Sequence, residues 1–264
     1  MEIVSFHIKP LFFPADYVEI IADSPLQTGG IFAIIDWGRI SAPMFCCAHQ
    51  AGRNKPTNSS GGGDTVLFRK SKPSGPVDFL IAGLGNPGKQ YEATRHNAGF
   101  IALEALAEKL AIRVDRVRFH SFCGEGKIGS SRVLLMLPQT FMNNSGEAVC
   151  EAMRFYKLPP ERLLVFSDDI SLPVGTVRVR RKGSDGGQKG LRSIIQLGGS
   201  DQFPRIKLGV GQKPHPDYDL AAWVLSKFTK EEQPKMLEAA HSAAEAACLV
   251  VEGQIEEAMN RYSR

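Results

Sequence analysis

Hydrophobic and polar positions follow a regular pattern only from Val77 onward. The run VDFLIAG, residues 77–83, is short and apolar and ends in glycine, which is typical of a buried strand. The run AGFIALEALAEKLAI that follows it places apolar residues on one helical stripe. That stripe consists of Phe100, Leu103, Leu106, Ala107 and Leu110. The pattern therefore predicts a strand followed by a helix at the start of the ordered part.

Strands and helices continue to alternate to the end of the chain. Further strands are predicted at RVLLMLP, RLLVFSDD, GTVRVRRKG and PRIKLGVG, and helices at SGEAVCEAMRFYKL and QKGLRSIIQLG. A long last helix is predicted from Thr229, a good N-cap, with Glu231 and Glu232 in its first turn. Interleaved strands and helices indicate a single α/β domain around one mixed sheet, covering residues 77–264.

Residues 1–76 have a different composition. The stretch AGRNKPTNSSGGGDTVLFRKSKPSGP is rich in glycine, serine, proline and basic residues, and its only acidic residue is Asp64. Such a segment buries too little apolar area to offset its ordering entropy, so it is expected to be a disordered extension. From Met44 to Pro76 it is basic, hydroxyl-containing and poor in acids, as transit peptides are. It is therefore either an inactive tail or an organelle-targeting segment.

Composition excludes several classes of function. No uninterrupted apolar run approaches the roughly 18 residues of a membrane span. The five cysteines form no C-x-x-C pair and the six histidines no metal-binding spacing, so a metal site is not expected. Because the net charge is only +4, any basic surface must be local.

The loop GLGNPGKQ, residues 83–90, matches two phosphate-binding patterns in part. A dinucleotide site needs its helix to begin on the glycine loop, yet the helical pattern begins near Asn97, about ten residues too late. The acidic residues found roughly 20 positions on, Glu104 and Glu108, are predicted to lie mid-helix on a polar face. A P-loop would need serine or threonine at Gln90. The loop is better explained as a tight turn after the first strand.

Polar residues that could perform catalysis lie at the ends of three predicted strands. Asn86, Asn143 and Asp168 each follow or end a strand, and His96 lies just before a helix. A histidine and a carboxylate without a nucleophilic serine or cysteine suggest a general base that acts on water. The two asparagines could position a carbonyl and support its oxyanion. A surface histidine that caps a helix is the alternative for His96.

Four segments resemble the bacterial-type peptidyl-tRNA hydrolases over nearly all of residues 77–264. They are LIAGLGNPGKQYEATRHNAGF, PQTFMNNSGEAV, VFSDDISLPVGTVRVRRKGSDGGQKGLRSII and FPRIKLGVG. The resemblance implies a single α/β domain with a twisted mixed sheet flanked by helices. It implies hydrolysis of the ester between a peptide and the terminal ribose of tRNA by a monomer without a cofactor. The segments YKLPPERLLV and EEAMNRYSR resemble the cyanobacterial and plastid branch. The N-terminal extension makes the chloroplast the expected location. A mitochondrial or cytoplasmic location is the alternative.

The same resemblance implies a role for each candidate residue. His96 would be the general base, Asp168 would orient and stabilise it, and Asn86 would help to distinguish N-blocked from free aminoacyl-tRNA. Three further residues match positions that line the site for the peptidyl-adenosine end: Tyr91, Phe141 and Asn143. A packing role for Phe141 and a turn role for Asn86 are the alternatives.

One segment departs from the family pattern. Where the family usually has GGHNG, this chain has GGQKG, so Gln188 replaces a histidine and Lys189 an asparagine. Lys189 is still expected to contact substrate, but a protonated lysine cannot accept a hydrogen bond. The departure keeps open a second reading, a non-catalytic RNA-binding protein of the same fold, such as an organellar splicing factor.

Basic residues cluster around the strand VRVRRKG. Arg178 and Arg180 are predicted to share one face and Arg181 the opposite one. With Lys182, Lys189 and Arg192, they are expected to form either a local phosphate-contacting patch or a solvated charged edge.

Overall fold

The computed structural model describes residues 76–263. The predictions for the N-terminal extension therefore lie outside the described residues, except at Pro76. Within this range, none of the helices is long and apolar enough to cross a membrane.

A seven-stranded mixed sheet forms the centre of the described part. Its strands are β1 (Phe79–Gly83), β2 (Arg116–Arg118), β3 (Ser121–Ile128), β4 (Ser131–Pro138), β5 (Leu163–Asp169), β6 (Val177–Arg180) and β7 (Arg205–Gly209). They lie in the order β2-β3-β4-β1-β5-β7-β6. Strands β4, β1, β5 and β7 are parallel, whereas β2, β3 and β6 pair antiparallel at the two edges. The predicted mixed sheet in an α/β domain is confirmed.

Helices cover both faces of this sheet. They are α1 (Ala98–Lys109), α2 (Ser145–Tyr156), α3 (Lys189–Gly198), α4 (Leu220–Val224), α5 (Gln233–Val251) and α6 (Ile255–Tyr262). One apolar core joins α1, α5 and α6 to the sheet, and a second core joins α2 and α3 to the opposite face. The carboxyl ends of the four parallel strands lie together on one side of the sheet, where the strands end.

The structure differs from the sequence-based prediction at β2, β3, α4 and the last helical region. Helix α4 was not predicted. Strands β2 and β3 were not predicted, because GEGKI in β3 lacks an apolar alternation. The last helical region is two helices, separated at Gly253, which has φ +84°. Regular helix begins at Gln233 rather than at Thr229. The predicted cap still forms, since the Glu232 N–H donates to Thr229 Oγ1 over 3.3 Å and the Thr229 N–H to Glu232 Oε2 over 2.9 Å.

The glycines of the loop allow close packing between β1 and α1. A Cβ atom on Gly83 would lie 2.5 Å from the carbonyl oxygen of Gly99, and one on Gly99 would lie 2.5 Å from that of Leu84. A Cβ atom on Gly85 would lie 2.6 Å from the ring of Phe100. Helix α1 begins only at Ala98, as the periodicity predicted, so its N terminus does not rest on the glycine loop. Close packing therefore explains why glycine occupies these positions, and no bound nucleotide is needed to explain it.

Glu104 was predicted to lie on a polar face of α1, and this is wrong. Its Oε1 atom is shielded from solvent and has no hydrogen-bond partner in the described part of the chain. Burial, together with the nearby charge of Glu92, raises the pKa of Glu104 from its ordinary 4.5 to about 8. Glu108, one turn later, is exposed as predicted.

We expect Glu104→Gln to stabilise the fold increasingly as the pH rises from 5 to 8. Between these values the unfolded carboxyl is ionised while the folded one keeps its proton, so the parent loses stability with rising pH. Glutamine cannot ionise, so the gain at pH 8 should be on the order of 3 kcal/mol. Urea unfolding at both pH values measures it, with the exposed Glu108→Gln as the control. Equal gains at the two pH values would contradict a buried, protonated carboxyl.

Candidate active site

A cavity of about 500 Å³ opens at the edge where the parallel strands end. Its walls come from the loops after β1, β4 and β5 and from the loop that leads into α3. Six of the seven residues predicted to form the site line this cavity: Asn86, His96, Phe141, Asn143, Asp168 and Lys189. Segments far apart in sequence thus bring their polar side chains to one place.

His96 and Asp168 form a hydrogen-bonded pair in this cavity. His96 lies in the short 3₁₀ turn Arg95–Asn97 before α1, and its Nδ1 is 2.8 Å from Asp168 Oδ2. The side chains are 13% and 4% exposed. An ionised carboxylate only accepts hydrogen bonds, which places the ring proton on Nδ1 and leaves Nε2 as the basic nitrogen. No residue in 76–263 hydrogen-bonds to Nε2. The pair therefore has the arrangement of a general base and its orienting carboxylate.

Arg95 holds the turn that carries His96, a role that the sequence analysis missed. Its side chain is almost fully buried, and its guanidinium carbon lies 3.9 Å from the ring centroid of Trp223. The guanidinium donates hydrogen bonds to three groups: the Val210 carbonyl oxygen at 2.8 Å, Glu232 Oε2 at 2.7 Å and Ser226 Oγ at 3.2 Å. Arg95 thus connects the turn that carries His96 to the segment around α4 and to the start of α5.

Asn86 is fixed on both its backbone and its side chain. Its backbone N–H donates to Asn97 Oδ1 at 2.8 Å, and its carbonyl oxygen accepts from Asn97 Nδ2 at 3.0 Å. Its own Oδ1 accepts from the Met142 N–H at 2.8 Å. Within the described residues no group accepts from Asn86 Nδ2, so this donor is available to a ligand. Asn97, which orients it, was not singled out from the sequence.

Phe141 adopts a backbone conformation that is strained for a side-chain-bearing residue, with φ 61° and ψ 158°. The ring is 53% exposed and lines the cavity. Tyr91 lies beside Phe141, with the ring centroids 6.5 Å apart and the planes nearly perpendicular. Tyr91 does not line the cavity, unlike the other six predicted residues. Its predicted contact with the peptidyl-adenosine end of the substrate stays a prediction.

The two residues that depart from the family pattern lie at the start of α3. Gln188 is the N-cap residue, and its side chain also reaches Asp168. Lys189 is the first residue of the helix and lines the cavity. Lys189 has no hydrogen bond or ion pair with any residue in the described range. Its positive charge is therefore available to a ligand.

The other charged residues around the cavity are largely paired. Asp169 binds Lys207 at 3.0 Å, and Asp185 binds Arg192 at 3.3 Å. Burial alone would raise the pKa of Asp169, but hydrogen bonds from Ser171 and Lys207 outweigh it and lower the pKa. The hydrogen bond from Arg192, and then the Gly187 N–H, lower the pKa of Asp185. Both carboxylates are therefore held in the charged form.

The predicted basic cluster is only partly free. Arg178 and Arg180 are half-buried and alternate with two buried valines, so they share one face as predicted. Arg181 is ion-paired with Glu256, and Arg192 with Asp185. Lys207, which was not singled out from the sequence, lies opposite Arg178 in the register of β6 and β7. Within this cluster, the cations without an ion pair among the described residues are Arg178, Arg180, Lys182 and Lys189.

The model of the family described as peptidyl-tRNA hydrolase matches residues 80–264 of the chain. The chain belongs to the peptidyl-tRNA hydrolase family. It is 51% identical over 185 residues to a peptidyl-tRNA hydrolase of Caldanaerobacter subterraneus subsp. tengcongensis, a match that covers 70% of this chain and 99% of that protein. A peptidyl-tRNA hydrolase of Alkaliphilus oremlandii is 50% identical, with 70% of this chain and 98% of that protein covered.

A solved peptidyl-tRNA hydrolase has the same fold. The crystal structure of the Acinetobacter baumannii protein matches with a TM-score of 0.66 and 36% identity, covering 72% of this chain and 99% of that one. The resemblance to the peptidyl-tRNA hydrolase family that the motifs indicated is thus confirmed. The individual roles of the site residues remain predictions.

Proposed function

We propose that this chain hydrolyses the ester bond of peptidyl-tRNA, with His96 as the general base that activates water. The observation that supports this most is the 2.8 Å hydrogen bond between His96 Nδ1 and the buried Asp168 on the cavity wall. Membership of a family of ester hydrolases supplies the reaction type.

The residues around the cavity can divide the reaction between them. His96 Nε2 takes a proton from water as the water oxygen bonds to the ester carbonyl carbon. Asn86 and Asn143 line the cavity and supply amide donors to the charge that develops on the carbonyl oxygen. When the bond from this carbon to the ribose oxygen breaks, the imidazolium returns its proton to that oxygen. The products are free tRNA and the peptide acid.

The hydrogen bonds of Asn86 explain how the site would select N-blocked substrates over free aminoacyl-tRNA. Its Oδ1 is occupied by the Met142 N–H, so only the Nδ2 donor can face a ligand. This Nδ2 carries two N–H groups, and a peptide bond next to the ester offers a carbonyl oxygen that accepts from the one not directed at the ester oxygen. A free α-ammonium offers only donors, and a buried donor without an acceptor is costly. Asn86 should therefore favour peptidyl-tRNA over aminoacyl-tRNA.

We also propose a location and an oligomeric state for the protein. The basic, acid-poor composition of residues 44–76 supports import into an organelle, with the chloroplast as the destination. Residues 77–264 are proposed to act as a monomer, since all of the predicted site residues lie on one chain. Import into isolated chloroplasts and mitochondria, and light scattering of the purified protein, test these two points.

A non-catalytic RNA-binding function is the second candidate. The observation that favours it is Lys189, which has no hydrogen bond or ion pair with any residue of 76–263 and stands where the family usually has asparagine. An ammonium at this place can contact a phosphate of RNA without any turnover. The two candidates differ in whether bound tRNA loses its acyl group.

We expect Lys189→Asn to hydrolyse substrate at least as fast as the parent and to bind tRNA more weakly at low salt. Asparagine restores a neutral group that both donates and accepts, whereas the phosphate contact is lost. Single-turnover rates and affinities at several salt concentrations measure both effects, and the exposed Lys230→Asn is the control. Loss of turnover in Lys189→Asn alone would mean that lysine has a catalytic role of its own.

Substrate discrimination tests the proposed function. The full-length chain is incubated with aminoacyl-tRNA and with the same aminoacyl-tRNA after N-acetylation, and the released acid is measured. Rapid release only from the acetylated substrate is expected. Equal rates for both substrates would contradict the role of Asn86, and release from neither would contradict hydrolysis.

A further inference from the structure

Gln188 makes hydrogen bonds at both ends of its side-chain amide. Nε2 donates to Asp168 Oδ1 at 3.0 Å and also lies 2.9 Å from the sulfur of Met142. Oε1 accepts from the Leu191 N–H at 2.6 Å, which is the N-cap hydrogen bond of α3. One side chain thus connects the carboxylate of the site to the first turn of a helix.

The Asp168 carboxylate is held from two sides. His96 occupies Oδ2 and Gln188 occupies Oδ1, so the carboxylate cannot rotate without breaking one of these hydrogen bonds. Its side chain is only 4% exposed, so water has little access to replace a lost donor. Removing the amide of Gln188 would therefore leave one oxygen of a buried carboxylate unsatisfied.

We propose that Gln188 is a positioning residue that fixes the Asp168 carboxylate toward His96 and anchors the pair to α3. This inference deepens the proposed function and rests on it. Gln188 does not touch the reacting atoms; it acts through Asp168. Because an amide does not titrate, this anchor has the same donor and acceptor at every pH at which the enzyme works.

The substitution leaves the other charged residues on the cavity wall unchanged; they are Asp169, Asp185, Lys189, Lys207 and Asp219. A difference in the pH–rate profile between a Gln188 variant and the parent is therefore attributed to the His96–Asp168 pair.

A pair of substitutions separates this role from helix capping. Serine at position 188 can cap α3 but is too short to reach Asp168, whereas alanine can do neither. We expect Gln188→Ser and Gln188→Ala to lower the single-turnover rate by about 10- to 100-fold, the usual effect of a hydrogen bond to a charged group. In both variants tRNA affinity should stay near that of the parent. The Tm should fall in both variants, because both leave the Asp168 oxygen unsatisfied, and it should fall further in Gln188→Ala, which also loses the helix cap.

A spectroscopic readout makes the test independent of turnover. The hydrogen-bonded Nδ1–H proton of His96 should give a downfield NMR signal in the full-length parent, assigned by its loss in His96→Ala. In Gln188→Ser this signal should broaden or shift as the carboxylate becomes mobile. If the parent shows no hydrolysis, the proposed function fails while the NMR comparison still decides the role of Gln188.

A Gln188→Ser variant with the rate, pH profile and His96 signal of the parent would show that Gln188 is a helix cap only, and the proposal would be overturned.

Discussion

Replacing His96 with alanine is expected to lower the single-turnover rate of peptidyl-tRNA hydrolysis by about 10²–10⁴-fold. Water is a poor nucleophile, and it attacks the ester carbonyl only as one of its protons leaves. A positioned base that accepts this proton lowers the barrier by about 3–5 kcal/mol. The imidazole contributes little uniform binding energy, so the affinity for tRNA should persist.

Two comparisons make the His96 prediction specific. His120→Ala removes a histidine that is 73% exposed and does not line the cavity, and it should hydrolyse at the parent rate. Asp168→Asn should follow His96→Ala in lowering turnover more than affinity, because an amide can select the wrong tautomer and no longer offsets the imidazolium charge. If His96→Ala hydrolysed the substrate at the parent rate, His96 would not be the general base.

Replacing Arg95 with leucine should cost about 3–5 kcal/mol of folding free energy. The substitution leaves the Glu232 carboxylate without its buried partner and removes the donors to Val210 and Ser226. Since Arg95 adjoins His96 in the same turn, the position of His96 should also be disturbed. Urea unfolding measures the cost.

Arg113→Leu is the matched control for Arg95. Arg113 also pairs with a carboxylate, that of Asp115 at 2.9 Å, but its side chain is 77% exposed. Exposed ion pairs contribute roughly 0–1 kcal/mol, so this variant should be close to the parent in stability. If the two variants were equally stable, the hydrogen bonds of Arg95 would not hold this part of the fold together.

The parts of the site that the sequence predicted share one property. Asn86 and Asn143 follow strands and Asp168 lies at the end of one, and parallel strands end on the same side of a sheet. Their convergence therefore follows from the alternation of strands and helices alone. The roles of these residues came from the resemblance to a known family, because a position at the end of a strand does not reveal what a residue does.

The parts that were missed depend on contacts between distant segments. Arg95 meets Glu232 across 137 positions, and nothing in the local sequence marks this pair. The burial of Glu104 depends on the packing of α1 in the fold, so its helical position alone suggested a solvated carboxylate. Gln188 was noted only as a missing histidine, because the predicted helix QKGLRSIIQLG began with it and glutamine is not among the preferred N-cap residues. Its second contact, with Asp168, is visible only in three dimensions.

The first turnover of N-acetylated aminoacyl-tRNA by an excess of full-length chain tests the central claim most directly. Equilibrium binding of tRNA is measured on the same preparation at the same salt concentration. We predict acid release far above the spontaneous rate for the parent and near the spontaneous rate for His96→Ala, with both proteins binding tRNA. A parent chain that binds tRNA but releases no acid would contradict the account and favour a non-catalytic RNA-binding protein.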